Sequence, residues 1–503
     1  MELLNNLSLG FSVAFTPVNL FYALVGSLVG TLIGVLPGIG PVATIAMLLP
    51  LTYGLEPVTA LIMLAGIYYG ASYGGSTTAI LVNLPGEMSS VITVIDGHQM
   101  AKQGRAGAAL CVCALGSFFA GCVATMVIAG FAPILAEVAL TFDAAEYFSL
   151  MVLGLISAII LAHGSVLKAI LMTLLGLLLG LIGTDVNTGT ARFSFNTPEL
   201  IEGLDFVAMT MGLFAFAEIA KNLEATSAQR QLLTERVERI MITWKEFKQS
   251  FPAMVRGTGL GSILGILPGG GATLSSFASY TIEKKLSKDS SRFGKGAIEG
   301  VAGPEAANNA GAQTSFIPML TLGIPSNAVM ALMVGALIIH DIQPGPEIMT
   351  QQPDLFWGLI VSMWVGNAML IVLNLPLIGI WIRLLNVPYR LLFPMILLCC
   401  TIGSFSSTNN MFNVWIAILF GFLGYVFAKL ECEPAPLLLG YILGPMLEEN
   451  LRRAMLLSRG EFSVFVTRPM SAVMLLMAVG LLVVILLPSV SKKRETVFQE
   501  AED

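Results

Sequence analysis

The sequence predicts an all-α polytopic membrane protein of about 10–12 transmembrane helices, built as two inverted-topology repeats, each with a Pro/Gly-broken helical hairpin. Three observations predict it. Of 503 residues, 55% are hydrophobic and only 12% charged, where an ordinary soluble domain carries about 25% charged residues. The string GTLIGVLPGIG at 30–40 returns as GSILGILPGGG at 261–271, with six of eleven positions identical. Loops that correspond between the two copies carry their Lys and Arg in opposite places, and short cytoplasmic loops are the ones rich in these residues.

The N-terminus MELLNNLSLGFSVAF has no basic region of the kind a secretory signal needs, so no cleavage is expected. Apolar runs that suit spanning helices cover 106–133, 147–161, 355–377, 414–428 and 472–487. Long apolar runs containing Gly and Pro do not fit a β-barrel, whose strands alternate apolar and polar residues. The six cysteines lie in or beside apolar runs and read as small buried hydrophobes.

The first repeat is expected over 1–225, with a hairpin at 17–50 and a broken helix at 84–87. The stretch 226–250 reads as a cytoplasmic amphipathic linker. The second repeat, 251–470, has a hairpin at 251–283 and a broken region at 304–327; a C-terminal helix and charged tail fill 471–503. Gly26, Gly30 and Gly34 match Gly257, Gly261 and Gly265. Glycine every fourth residue makes a smooth ridge for close helix packing.

Charge sets the sides. Segment 51–57 has no basic residue and its counterpart 283–295 has five; 96–105 has Lys102 and Arg105 where 340–354 has none; 133–146 has none where 383–390 has two. Segment 183–202 has one against four in 450–468, which assigns 450–468 to the cytoplasmic side. That leaves a conflict, because Lys492, Lys493 and Arg494 follow after a single apolar segment, 472–487: either that segment does not fully cross or one end breaks the charge rule.

Backbone groups freed within a bilayer must be buried in protein or line a wet cavity. Pro37-Gly38, Pro85-Gly86, Pro268-Gly269 and Pro325 therefore mark a ligand site at the repeat interface, where half-helix N-termini receive an anion. Candidate substrate or ion ligands are Pro37, Gly38, Gly40, Thr44, Ser76, Thr77, Thr78, Asn83 and Pro85 in the first half. In the second they are Pro268, Gly269, Gly270, Gly271, Thr273, Asn308, Asn309, Gln313, Thr314, Ser326 and Asn327. Glu87 and Glu305 are candidate coupling carboxylates. Arg256 and Lys168 read as snorkelling to the headgroups, and His98 and His340 as solvated loop residues. No P-loop, HExxH, GxSG or GxGD occurs, so no catalytic residue, metal centre or bound cofactor is expected beyond transported Na⁺ or H⁺. Two other classes stay open: an anion channel and, with less support, a membrane-embedded enzyme.

GTLIGVLPGIGP, YYGASYGGSTTAILVNLPGE, GILPGGGAT, GPEAANNA and LGPMLEENLRRAMLLSRG together make the chain resemble the large membrane subunit of the tripartite tricarboxylate transporters, the TctA family, over nearly its whole length. The resemblance implies a secondary transporter of the bacterial inner membrane for carboxylates such as citrate, driven by Na⁺ or H⁺. It also implies a small TctB-like membrane subunit and a periplasmic TctC-like solute-binding protein as partners, and no nucleic acid. The site positions it carries over are Pro37–Gly40, Pro268–Gly271 and the polar runs 72–78 and 308–314. The longest hydrophilic stretch is 221–250, too short for an extracytoplasmic binding domain, so capture of substrate falls to a separate protein.

Overall fold

The computed structural model describes residues 2–36, 40–83, 86–162, 165–185, 188–224, 240–267, 271–385, 389–406 and 409–486. Pro37, Gly38, Pro85, Pro268, Gly269 and Gly270 lie outside these, as do linker residues 225–239 and the tail from 487. The described chain is mostly helical, its only strands among the described residues being a small antiparallel ribbon, Gly183–Thr184 with Ala191–Arg192. Five helices are long and apolar enough to cross a membrane: 17–35, 106–139, 206–224, 353–374 and 411–429, accompanied by shorter apolar helices. The protein is all-α and polytopic.

Helices α1 (Glu2–Ala14) and α2 (Pro17–Val35) meet at Thr16, whose side chain accepts from the Asn19 amide while Pro17 opens α2. After α3 (Pro41–Leu48) and a 3₁₀ turn comes α4 (Pro57–Val82). A Cβ on Gly26, Gly30 or Gly34 would lie 2.2, 2.3 or 2.3 Å from the carbonyl oxygens of Met63, Ile67 and Ala71. The constant spacing means that α2 and α4 run parallel with backbones touching. The chain between them must therefore double back, so α2 and α3 form a hairpin. Helix α5 (Val91–Lys102) continues in the direction of α4, with His98 Nδ1 3.0 Å from the Ile80 carbonyl. His98 is 6% exposed; it is a buried helix residue, not the solvated loop residue expected.

The first half continues through α6 (Ala106–Ala139), α7 (Ala144–Leu161), α8 (Val166–Gly180) and α9 (Phe206–Glu224). Pro133 sits inside α6 without ending it. The second half opens with α10 (Trp244–Leu264), started by a reciprocal Thr243–Glu246 cap, then α11 (Gly271–Leu286) and α12 (Glu299–Thr314). Here Gly257, Gly261 and Gly265 meet the carbonyls of Gly303, Ala307 and Gly311, a Cβ falling 2.2, 2.3 or 2.5 Å away. α10 and α12 are thus parallel, and α10–α11 is a second hairpin. Arg256 fastens its two arms through bonds of 2.8 and 2.5 Å to buried Glu283, instead of only snorkelling. Lys168 pairs with exposed Glu431 at 3.2 Å.

The longer helices that follow are α13 (Phe316–Leu322), α14 (Ala328–Ile339), α15 (Pro353–Asn374), α16 (Ile378–Leu384), α17 (Tyr389–Ser406), α18 (Met411–Lys429), α19 (Ala435–Leu457) and α20 (Pro469–Leu486), with single turns at Ile348–Gln351 and Val464–Thr467. Trp357, Phe356 and Phe316 are among the largest fully buried side chains. Cys111, Cys113 and Cys400 are buried as expected, whereas Cys399 is exposed.

Polar bridges define two faces. Arg105 pairs with Glu246 at 2.9 Å and Gln103 donates to the Lys295 carbonyl at 2.7 Å, so loops 103–105, 240–246 and 290–298 share one face. Arg468 pairs with Asp143 and Glu146 (3.0 and 2.8 Å), Arg192 with Glu448 (2.8 Å) and Arg452 with Asp185 (3.0 Å). Those loops share the other face, because α6, about 50 Å long at 1.5 Å per residue, separates Arg105 from Leu140. The α2–α3 hairpin opens on the Asp143 face and α10–α11 on the Glu246 face. This corrects the placement of 450–468, which lies with 133–146 and 183–202. Its basic count misled because Arg452 and Arg468 are neutralised by acids from neighbouring loops. Helix α20 then starts beside α7, where Ser471 and Ser149 hydroxyls lie 2.7 Å apart. It runs away from that face over Pro469–Leu486.

Candidate functional site

Helix α12 reads EGVAGPEAANNAGAQT, and its small residues let α6, α10 and α11 close around it. The polar side chains scattered among them are therefore forced into the interior: Glu305 and Asn308 are 0% exposed. Pro304 has no N–H to give, and its own carbonyl accepts from Ser276 Oγ at 3.3 Å.

Glu305 is the hub. Its Oε1 accepts from Ser76 Oγ of α4 (2.6 Å), Ser117 Oγ of α6 (3.3 Å) and Asn309 Nδ2 (3.3 Å). Its Oε2 accepts from Thr93 Oγ1 of α5 (2.9 Å). Four helices from both halves of the chain thus converge on one carboxylate, and among the described residues no lysine or arginine is ion-paired with it. Buried carboxylates need donors or a counter-charge; here neutral hydroxyls and an amide supply the donors. Beside it lies a cavity of about one water's size, lined by Ser76, Thr77, Ser117, Glu305, Tyr73 and Asn374 among others.

Glu87 forms a second polar node. Its Oε1 accepts from Ser89 Oγ (2.6 Å) and from Asn308 Nδ2 (3.3 Å). Farther along α12, Gln313 accepts from Thr125 Oγ1 at 2.8 Å. Near the start of α11, Gly271 has φ +30 and lies against Ser315 and Asn327. Asn327 caps α14 by accepting from the Met330 amide (2.9 Å) and reaches Ser315 Oγ (3.4 Å), while Ser326 donates to the Ser315 carbonyl (3.3 Å).

Other expected site residues are placed elsewhere. Thr44, Thr78 and Thr314 bond to carbonyls of their own helices at 3.0, 2.8 and 2.9 Å. Asn83 is an exposed, left-handed residue (φ 63) ending α4. Gly40 begins α3 with open space where a Cβ would stand, and Thr273 is half-buried. Conversely, Thr93, Ser117, Thr125 and Asn374 belong to this polar interior and were not among the expected residues, whereas Tyr73 lies within the expected run 72–78. Thr93 lies one helical turn from Ser89 and Ser90, a clustering of hydroxyls that marks the stretch in the sequence but not the one that meets Glu305. Among the described residues no group of three His, Cys, Asp or Glu is arranged to hold a metal ion.

A buried carboxylate among helices of a membrane protein is a functional-site candidate by default. The family model described as Tripartite tricarboxylate transporter TctA family matches residues 20–439. The chain belongs to the TctA family. It shares that membership's class of work: it is a component of a tripartite tricarboxylate transporter. An Agrobacterium vitis protein described as an uncharacterized 52.8 kDa protein in the TAR-I ttuC' 3'region is 59% identical over 502 residues, covering 100% of each chain. A second from the same organism, described as an uncharacterized protein in the TAR-II ttuC' 3'region, is 60% identical over 240 residues, 48% of this chain and 99% of its own. No solved structure matches. In this TctA protein the polar runs 72–78 and 308–314 do face one another: Ser76 and Asn309 meet on Glu305.

Proposed function

We propose that this chain is the large transmembrane subunit of a binding-protein-dependent importer of di- or tricarboxylates, working by alternating access and driven by a Na⁺ or H⁺ gradient. The observation that carries it is Glu305, a buried carboxylate without an ion-paired lysine or arginine among the described residues, held by helices from both halves. Such a group changes its favoured partners when a cation or proton arrives, and that change is a means of coupling. The two hairpins, opening on opposite faces, give each side of the bilayer its own access route, as in transporters built from inverted repeats. Pockets for small molecules measure about 300–1,000 Å³. The water-sized space beside Glu305 is far smaller and has no room for a carboxylate, so on this reading the substrate is held elsewhere between the two halves, in a conformation more open than this one.

The partners would be a small membrane subunit and a periplasmic solute-binding protein, and the membrane the bacterial inner one. The test is uptake of labelled citrate and other carboxylates into proteoliposomes carrying all three proteins. Accumulation should need an imposed Na⁺ or proton gradient. Uptake that is unchanged when both gradients are collapsed would refute the coupling, and steady single-channel currents would favour a channel instead.

A further inference from the structure

The polar groups around the Glu305 cavity are not neutral about charge. Ser76 commits its hydrogen to Glu305 Oε1 in its shorter bond, 2.6 Å, and Ser117 donates to the same oxygen at 3.3 Å while accepting from Asn309 at 2.7 Å. Asn374 donates its amide hydrogens to the Leu370 carbonyl (2.9 Å) and Thr31 Oγ1 (3.5 Å). Among the described residues its carbonyl oxygen Oδ1 is buried without a hydrogen-bond partner, and so is the Tyr73 hydroxyl. Asn374 and Tyr73 are 5% and 4% exposed, and both line the cavity. With these hydrogens committed, what Ser76, Ser117 and Asn374 still offer is oxygen lone pairs, and the hydroxyls of Thr77 and Tyr73 can rotate to suit whatever enters. An inward ring of oxygen lone pairs beside a carboxylate repels an anion and attracts a hard cation.

We propose that this cavity is a sodium site, separate from where the carboxylate substrate binds, with Glu305, Ser76, Ser117, Thr77, Tyr73 and Asn374 supplying oxygen ligands. The space suits a single dehydrated monovalent ion, and one such ion balances one carboxylate, so the buried site becomes neutral on binding. Ligands come from α4, α6, α12 and α15. Filling the site draws helices of both halves together, while Thr93 keeps α5 attached to the far oxygen of Glu305. The assignment rests on the transport reading for its purpose, but its chemistry is read from the cavity alone.

The experiment uses the purified full chain in detergent, without partners or carboxylate. Thermal unfolding and equilibrium ²²Na⁺ binding are followed against NaCl, KCl and choline chloride. Sodium should raise the melting temperature saturably and bind as a single ion per chain, with potassium and choline much weaker. Asn374→Leu should raise the half-saturating sodium concentration by at least about tenfold, and Glu305→Gln should abolish binding. If Asn374→Leu fails to fold, Asn374→Asp, which keeps an oxygen at that point, should fold and still bind sodium. An equal response to the three salts, or wild-type affinity in Asn374→Leu, overturns the assignment. If sodium has no effect while the complete system accumulates carboxylate on a proton gradient, the sodium site fails and the transport reading stands. Saturable sodium binding with no carboxylate carried under any gradient gives the reverse.

Discussion

Asp96 shows what a single buried side chain does that no motif announces. Its Oδ1 accepts three backbone N–H bonds, from Gly294 (2.9 Å), Gly296 (2.7 Å) and Ala297 (2.8 Å), and Oδ2 accepts from Tyr280 OH (3.0 Å). Gly294 and Gly296 have φ of 82 and 97, a conformation that lets successive amides converge on one oxygen. Asp96 lies one turn beyond Thr93 on α5, so the same helix holds Glu305 and the loop before α12. Bonds to a charged acceptor contribute about 1.5–3 kcal/mol each. Asp96→Ala should therefore lower the melting temperature markedly and expose 287–298 to limited proteolysis; an unchanged digestion pattern would contradict the clamp. Glu246 is the exposed-face counterpart. The Thr243 amide and hydroxyl, with Arg105, hold its carboxyl well below the usual range, at about 2. Its depressed value means its contribution is full above the unfolded-state range near 4.5 and is lost as pH falls toward 2. Wild type should lose more stability across that window than Glu246→Gln, measured by thermal unfolding at each pH. Glu305, Asn308, Asn309 and Gln313 were legible because polar residues in an apolar chain are conspicuous. Thr93, Ser117 and Thr125 were not, since a mid-helix hydroxyl bonds its own backbone unless the register happens to face a partner. Asp96 was read as part of a loop, and only the fold shows what it meets.

At the scale of elements, the glycine ridges were legible and their meaning is packing. Every fourth glycine on α2 and α10 lies against carbonyl oxygens of α4 and α12, leaving no room for a methyl group. Gly30→Ala and Gly261→Ala should each cost about 1–3 kcal/mol through overpacking. Gly40→Ala, where nothing lies within 4 Å of the added Cβ, should be nearly neutral. Comparable melting temperatures for all three variants would contradict the packing argument. A Pro-Gly pair between apolar runs interrupts the helix ladder wherever it falls, which is the sequence signal for α2 ending at Val35 and α10 at Leu264. The stretch of α6 beyond Pro133 was less legible: the local kink a proline causes did not stop the helix, and the small residues around it keep α6 packed.

For the whole molecule, basic-residue counts oriented most loops in agreement with the contacts but misplaced 450–468. Counting charges cannot see that Arg452 and Arg468 meet Asp185, Asp143 and Glu146 from loops far away in sequence. In a cysteine-free background, Arg459→Cys and Lys288→Cys should react with a membrane-impermeant thiol reagent from opposite sides of right-side-out and inverted vesicles. Labelling of both from one side would overturn the arrangement of faces. Family membership was legible in five motifs; the ring of hydroxyls that makes Glu305 a hub was not, because it depends on the register of four packed helices. The most direct test of the central claim compares wild type with Glu305→Gln in proteoliposomes carrying the complete three-protein system. Carboxylate accumulation driven by an ion gradient should be lost in the variant while the protein still inserts and melts cooperatively. Accumulation at the wild-type level with the same ion dependence would contradict the account.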